Sequence, residues 1–193
     1  MQSNKRILIS GNKGHGVASG IDQIMSSDYH LEFCSRKNGF DLTSESGRQR
    51  FVELSLGYDV FINNAALWRF NQTLLAEAVW KSWTENNKTG HIINLGSTAD
   101  RQIYGGNWTY PAEKKALRHQ SISQAMSSLG GSGIKVTYLA YGYVSTPNIE
   151  KKHPTKKKHE PVEIARLIKW IIEYPVDNSN LIEIVLDPIQ SQR

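Results

Sequence analysis

"KRILIS", Lys5–Ser10, runs into "GNKGHG", Gly11–Gly16, and then into "VASGIDQIM", Val17–Met25. The first piece is a short apolar run, which reads as a buried strand. The second is a glycine cluster that must turn, and the third places apolar residues at helical spacing. A strand, a glycine turn and a helix form the opening unit of a parallel α/β sheet. The rest of the chain has to repeat that alternation for the reading to hold.

It repeats to the end. "YHLEFC", Tyr29–Cys34, is a second strand, and "FDLTSESGRQRFVEL" is a turn and a helix that Thr43 or Ser44 can cap. "YDVFI", Tyr58–Ile62, is a third strand. Asn71–Asn87 reads as a helix with Leu74, Leu75, Ala78, Val79 and Trp83 on its apolar side. "HIINL", His91–Leu95, is a fourth strand, Thr109–Leu129 a long helix, and "IKVTYLA", Ile134–Ala140, a fifth strand. Val162–Glu173 is amphipathic, and "LIEIVL", Leu181–Leu186, is a last strand. The pattern predicts an α/β fold: a doubly wound, Rossmann-like parallel sheet of about six strands with helices on both faces. Its ligand crevice lies at the carboxyl ends of the strands. Arg36–Phe40 is too short for a crossover helix and another parallel strand, so the expected strand order is 2-1-3-4-5-6. Residues 1–193 are read as one dinucleotide-binding domain, with 141–161 as an irregular, lid-like loop over the crevice.

The bulk properties agree. With 39% hydrophobic and 21% charged residues in 193, a globular domain is expected. No apolar run approaches the ~20 residues of a membrane span. "MQSNKRILISG" lacks the apolar core of a signal peptide, and the one cysteine, Cys34, allows no intrachain disulfide. These features suit a cytoplasmic protein. No metal site is expected. The net charge of +5 draws on "KKHPTKKKHE", Lys151–Glu160. Two readings of that stretch stand: a solvated basic face, or a lid whose Lys151, Lys152, His153, Lys156, Lys157, Lys158 and His159 attract an anionic substrate. Aromatic residues do not interleave with it, which argues against nucleic acid.

Between strand and helix, Gly11, Asn12, Lys13, Gly14, His15 and Gly16 can cradle a pyrophosphate. Glycines bring backbone N–H groups close, and the helix presents its positive end. The second strand ends in Ser35, Arg36 and Lys37, where an acidic residue would bind the ribose of NAD. Arg36 suits the 2′-phosphate of NADP instead, and Lys13 can close on the same group. Tyr110 and Lys114 lie four apart on one helix face, so the ammonium is expected to lower the phenol's pKa and ready it as a general acid and base.

Taken in order, these motifs resemble the short-chain dehydrogenase/reductase family. "SGNKGHG" resembles its T-G-x-x-x-G-x-G turn, shortened by one residue. "FDLT" resembles the segment whose aspartate, here Asp41 followed by Leu42, sits beside adenine. "NNAA" resembles N-N-A-G, implying that Asn64, Ala65 and Ala66 line the cofactor. "INLGS" ends in the equivalent of the catalytic serine, Ser97, and "YPAEK" is the Y-x-x-x-K motif, 13 residues on. "YGYVSTP" resembles P-G-x-V-x-T, with Tyr141 in place of proline and Gly142, Val144 and Thr146 beside the nicotinamide. The resemblance implies catalysis by Ser97, Tyr110 and Lys114, with Lys114 also on the nicotinamide ribose. Asn71, at the helix start, either holds a relay water or merely caps the helix. It further implies an NADP(H)-dependent oxidoreductase, NADP(H) in preference to NAD(H), interconverting a small-molecule carbonyl and alcohol. A homodimer or homotetramer paired through the two long helices is also implied. Trp68, Phe70, Tyr104, Trp108 and Tyr143 can floor the substrate site or simply pack. The contracted turn supports an alternative: a non-catalytic dinucleotide sensor or scaffold on a trimmed fold.

Overall fold

The computed structural model describes residues 5–101, 109–175 and 179–189. Six parallel strands form one sheet: β1 (Arg6–Ser10), β2 (His30–Cys34), β3 (Val60–Asn63), β4 (Gly90–Leu95), β5 (Ile134–Tyr141) and β6 (Glu183–Leu186). Their order is β2-β1-β3-β4-β5-β6, as expected. Among the described residues six helices accompany the sheet: α1 (Gly16–Met25), α2 (Glu45–Ser55), α3 (Asn71–Glu85), α4 (Thr109–Ser128), α5 (Pro147–Lys152) and α6 (Pro161–Glu173).

The strands alternate their apolar side chains between two cores. Ile7, Ile9, Ile62 and Ile93 pack with Ile21 of α1 and Ile168 of α6. Leu8, Phe61, Ile92 and Val136 point to the other face and pack with Phe51 of α2 and Trp83 of α3. Burial on both faces explains why β1 reads as a continuous apolar run.

The sheet reverses its winding between β1 and β3, so their carboxyl ends open the crevice. The contracted link becomes a short 3₁₀ turn, Arg36–Asn38, closed by Gly39 at φ 89°. Ser44 rather than Thr43 caps α2, its Oγ accepting from the Gly47 N–H at 3.1 Å. Thr43 is held by Asp41 Oδ1 instead, at 2.6 Å from its Oγ1.

The stretch 141–161 is not wholly irregular. Thr146 Oγ1 accepts from the Ile149 N–H, and Pro147 opens α5. A threonine cap followed by a proline at the first helical position is a helix start. Its brevity hides it from periodicity. The segment is tied back through Ser145 N–H to His159 O and His159 N–H to Tyr143 O, each 2.8 Å.

Candidate active site

Three elements converge at the carboxyl ends of β4 and β5. Ser97 follows β4, where Gly96 passes over Tyr138 so closely that a Cβ would lie 2.1 Å from its hydroxyl. Only glycine fits there. The Tyr138 hydroxyl accepts from the Ser97 N–H at 3.4 Å and donates to Asp100 Oδ2 at 2.7 Å. Asp100 is 3% exposed and also accepts from Arg101 at 2.6 Å. These contacts hold the backbone that carries Ser97.

The first turn of α4 brings Tyr110 within hydrogen-bonding reach of Ser97. Lys114 lies one turn on, its Nζ 5.6 Å from the centroid of the Tyr110 ring. Ser97, Tyr110 and Lys114 are thus brought together. The expected electrostatics are reversed, however. Burial raises the phenol's pKa, Asp100 adds to the rise, and the Ser97 hydrogen bond opposes it. Lys114 directs protons elsewhere: Nζ donates to Gln72 Oε1 at 2.7 Å and to Leu95 O at 3.2 Å. Burial also lowers the lysine to about 8, partly offset by Glu113 and Asp100.

Asn71 does not face Lys114. Its Oδ1 accepts from Arg48 Nη1 at 2.7 Å and its Nδ2 donates to Trp68 O at 2.6 Å. Nor does it cap the helix, because the N-cap is Phe70 in a left-handed conformation, φ 59°. The neighbour Gln72 occupies the position beside Lys114. Sequence reasoning passed over Gln72 because a glutamine in a first helical turn carries no pattern of its own.

The glycine turn and the tip of β2 border a recess of about 540 Å³, lined by Gly11, Ser35, Arg36, Asp41, Leu42, Ala65 and Ala66, among others. Gly11 has φ +123°, and a Cβ there would sit 2.6 Å from Asn64 Nδ2. Asn64 fixes the turn, donating from Nδ2 to Ser10 O at 3.0 Å. A Cβ at Gly14 would meet nothing within 4 Å, so open space lies over the turn. Asn12 Oδ1 accepts from the Gly14 N–H, and His15 caps α1 without a side-chain hydrogen bond. No acidic residue stands in the first turn of α1. An open glycine cradle at an uncapped helix start, with a guanidinium at the β2 tip, fits a dinucleotide phosphate. Arg36 also helps lower the Asp41 carboxyl, after the two Thr43 hydrogen bonds that dominate. Lys13 borders a second recess with Ser35 and Lys37 of the β2 tip, and its Nζ pairs with Asp22 at 3.0 Å.

The segment after β5 completes the rim. Gly142 N–H donates to Leu186 O at 3.0 Å, Val144 is buried, and Thr146 Cγ2 lies 3.7 Å from a Cβ built on Gly16. Trp68 and Phe70 line a narrow cleft with Gln72, Tyr110 and Lys114, and the Trp68 ring is 6.2 Å from that of Tyr110. Tyr143 instead packs on His153 at 4.7 Å. Tyr104 and Trp108 lie outside the described residues. Part of the basic stretch is tied down: the Lys158 side chain is 7% exposed and pairs with Glu150 at 3.0 Å.

Comparison with known proteins bears on the fold and on part of the chain. Residues 70–157 match the short chain dehydrogenase family. An uncharacterized oxidoreductase of Staphylococcus aureus (strain USA300) is 31% identical over 103 residues, covering 52% of this chain and 43% of that protein. An uncharacterized oxidoreductase of Staphylococcus saprophyticus is 27% identical over 164 residues, covering 67% and 65% respectively. The chain therefore matches less than two thirds of the length of these relatives. Among solved structures, a 4-hydroxyisoleucine dehydrogenase complexed with NADH superposes with a TM-score of 0.78 at 20% identity, covering 95% of this chain and 97% of that one. A short chain dehydrogenase from Bacillus anthracis gives 0.75 at 19%, covering 95% and 94%. At such identities the likeness is one of fold.

Proposed function

We propose, from the premise that this chain belongs to the short-chain dehydrogenase/reductase family, that it is an NADP(H)-dependent oxidoreductase. It would interconvert a small-molecule carbonyl and the corresponding alcohol. The observation that carries the reading is that Tyr110 comes within hydrogen-bonding reach of Ser97, with Lys114 one turn behind. The nicotinamide, when bound, supplies or accepts hydride. The rest falls to the chain. Tyr110 donates its phenolic proton to the carbonyl oxygen, and Ser97 hydrogen-bonds that oxygen as charge develops. Burial keeps the phenol protonated at neutral pH but also makes it a weaker acid, so the proton transfer leans on the Ser97 contact, which opposes the rise. Lys114 supplies positive charge near the ring.

Arg36 at the β2 tip, in place of an acidic residue, supports NADP(H) over NAD(H). Trp68 and Phe70 beside Tyr110 support an apolar substrate portion. A single domain acting in the cytoplasm completes the reading; among the described residues no helix is long and apolar enough to cross a membrane. Pairing into a homodimer or homotetramer would use exposed positions such as Leu74 of α3 and Met126 of α4. Trp83 is unavailable for it, being fully buried with Nε1 on Ser55 Oγ at 2.9 Å.

Tyr110→Phe tests the reading. Turnover should fall by about 10²-fold or more, while NADPH binding, followed by fluorescence, stays nearly unchanged. Full activity in that variant would remove Tyr110 from the role. NADPH binding by the unmodified chain without turnover of any carbonyl would favour the sensor or scaffold alternative.

A further inference from the structure

We propose that Gln72 is a positioning residue for Lys114, locking the lysine ammonium behind Tyr110 through a direct side-chain contact. The proposal rests on the oxidoreductase reading for its catalytic meaning, but its geometry stands apart from it.

Gln72 is 4% exposed at the start of α3. Its Nε2 donates to Asn63 O at 2.9 Å and to Leu95 O at 3.0 Å, the carbonyls that end β3 and β4. Its Oε1 accepts from Lys114 Nζ at 2.7 Å. The two ends of an amide are chemically distinct. Turning it over would aim an NH₂ at an ammonium and an oxygen at two carbonyls, so only one orientation satisfies every partner. The helix end is pinned as well, because Asn63 Nδ2 donates to the Gln72 backbone carbonyl at 3.0 Å. Asn63 is held in turn by Asn94, and Asn94 by Ser121 of α4. A buried polar chain therefore links two strands, β3 and β4, and two helices, α3 and α4, to one lysine. Every link bonds in a fixed direction, and such networks specify a single arrangement.

The alternative acceptors near Lys114 do not replace this contact. Leu95 O is longer, at 3.2 Å, and is shared with Gln72. The charged and titratable groups facing the ammonium are Glu113 and Tyr110 of α4 and Asp100 of the turn after β4, while the Tyr138 hydroxyl of β5 meets the Lys114 backbone carbonyl. Glu113 and Asp100 favour the ammonium at a distance, whereas Gln72 is the side chain that binds it. Asn71, the expected relay residue, is engaged by Arg48 and Trp68.

Nuclear magnetic resonance on the full chain, ¹³C-labelled at lysine and without nucleotide, tests the idea. Lys114→Met assigns the Lys114 signal. In the unmodified protein, the Gln72 side-chain NH₂ resonances should shift with the same midpoint as Lys114 Cε, near 8. In Gln72→Met, the Lys114 midpoint should fall by about one pH unit, a roughly tenfold weaker hold on the proton. Flat Gln72 resonances through the lysine titration, or an unmoved midpoint in the variant, overturn the proposal. Should Gln72→Met not fold, the titration of the unmodified chain decides alone. No substrate enters these measurements, so a chain that passes them yet turns over no carbonyl sinks the oxidoreductase reading and leaves Gln72 in place. In an active enzyme, Gln72→Met should lower kcat more than KM and move the alkaline limb of the pH–rate profile to lower pH. A lowered Tm alone would not.

Discussion

Tyr110 and Lys114 show how burial and charge compete at single residues. Removing water raises the phenol and lowers the ammonium, because each loses solvation of its charged form. The lysine remains a cation near neutrality through neutral acceptors, Gln72 and Leu95, and through the carboxylates of Glu113 and Asp100. The spacing of four residues predicts that the two share a face. It does not predict that the ammonium bonds away from the phenol. Arg36 is the other residue on which the reading turns, since it stands at the border of the nucleotide recess. Arg36→Ala should weaken NADPH binding by about tenfold or more, as losing a charge-assisted hydrogen bond does. NADH binding should hardly change. Isothermal titration with both nucleotides checks this, and equal losses for the two would point to a general defect.

At the scale of elements, α1 and α6 approach closely over the first core. Gly20 makes the approach possible, since a Cβ there would lie 2.3 Å from Pro161 O. Alanine favours helices by ~1 kcal/mol over glycine, yet Gly20→Ala should destabilise the protein by about 1–3 kcal/mol because two backbones must part. Guanidinium unfolding would show it, and a stabilised variant would contradict the packing. The β4–β5 pair carries a second test. His91 Nε2 is hydrogen-bonded to Thr137 Oγ1 at 2.8 Å, and burial, with Lys135 and Lys5 nearby, lowers its pKa from 6.5 to about 3. The unfolded chain therefore binds a proton that the folded chain refuses between those values. Stability from this residue is complete above 6.5 and is lost as pH falls toward 3, by up to about 1.4 kcal/mol per pH unit. His91→Gln should flatten that slope when unfolding free energies at pH 7 and pH 5 are compared.

For the whole molecule, the two halves of the crevice come from distant parts of the chain. Gly11, Arg36 and Asp41 line one side, while Tyr110, Lys114 and the segment through Thr146 supply the other. A ligand spanning them binds the folded state alone. Saturating NADPH should therefore raise unfolding free energy by about 2.7 kcal/mol at a hundred times Kd, read as a higher Tm in a thermal scan. NADH at the same concentration should give a smaller rise, and no rise with either would argue against a dinucleotide site.

The parallel sheet and its order were legible before any coordinates. Continuous apolar runs such as Ile7–Ile9 can be buried only on two faces, and the link from Arg36 to Phe40 is too short for another crossover. The Tyr110–Lys114 pair was legible from its spacing of four on one helix, and Ser97 joined it through the family resemblance. Short elements and side-chain partners were not legible. α5 has too few residues for a period, Lys13 chose Asp22, and Asn71 ceded its place beside Lys114 to Gln72. Backbone patterning is local and repeats along the chain, so sequence alone determines it. Which buried donor meets which acceptor depends on tenths of an ångström between elements far apart in sequence, and only tertiary packing decides that.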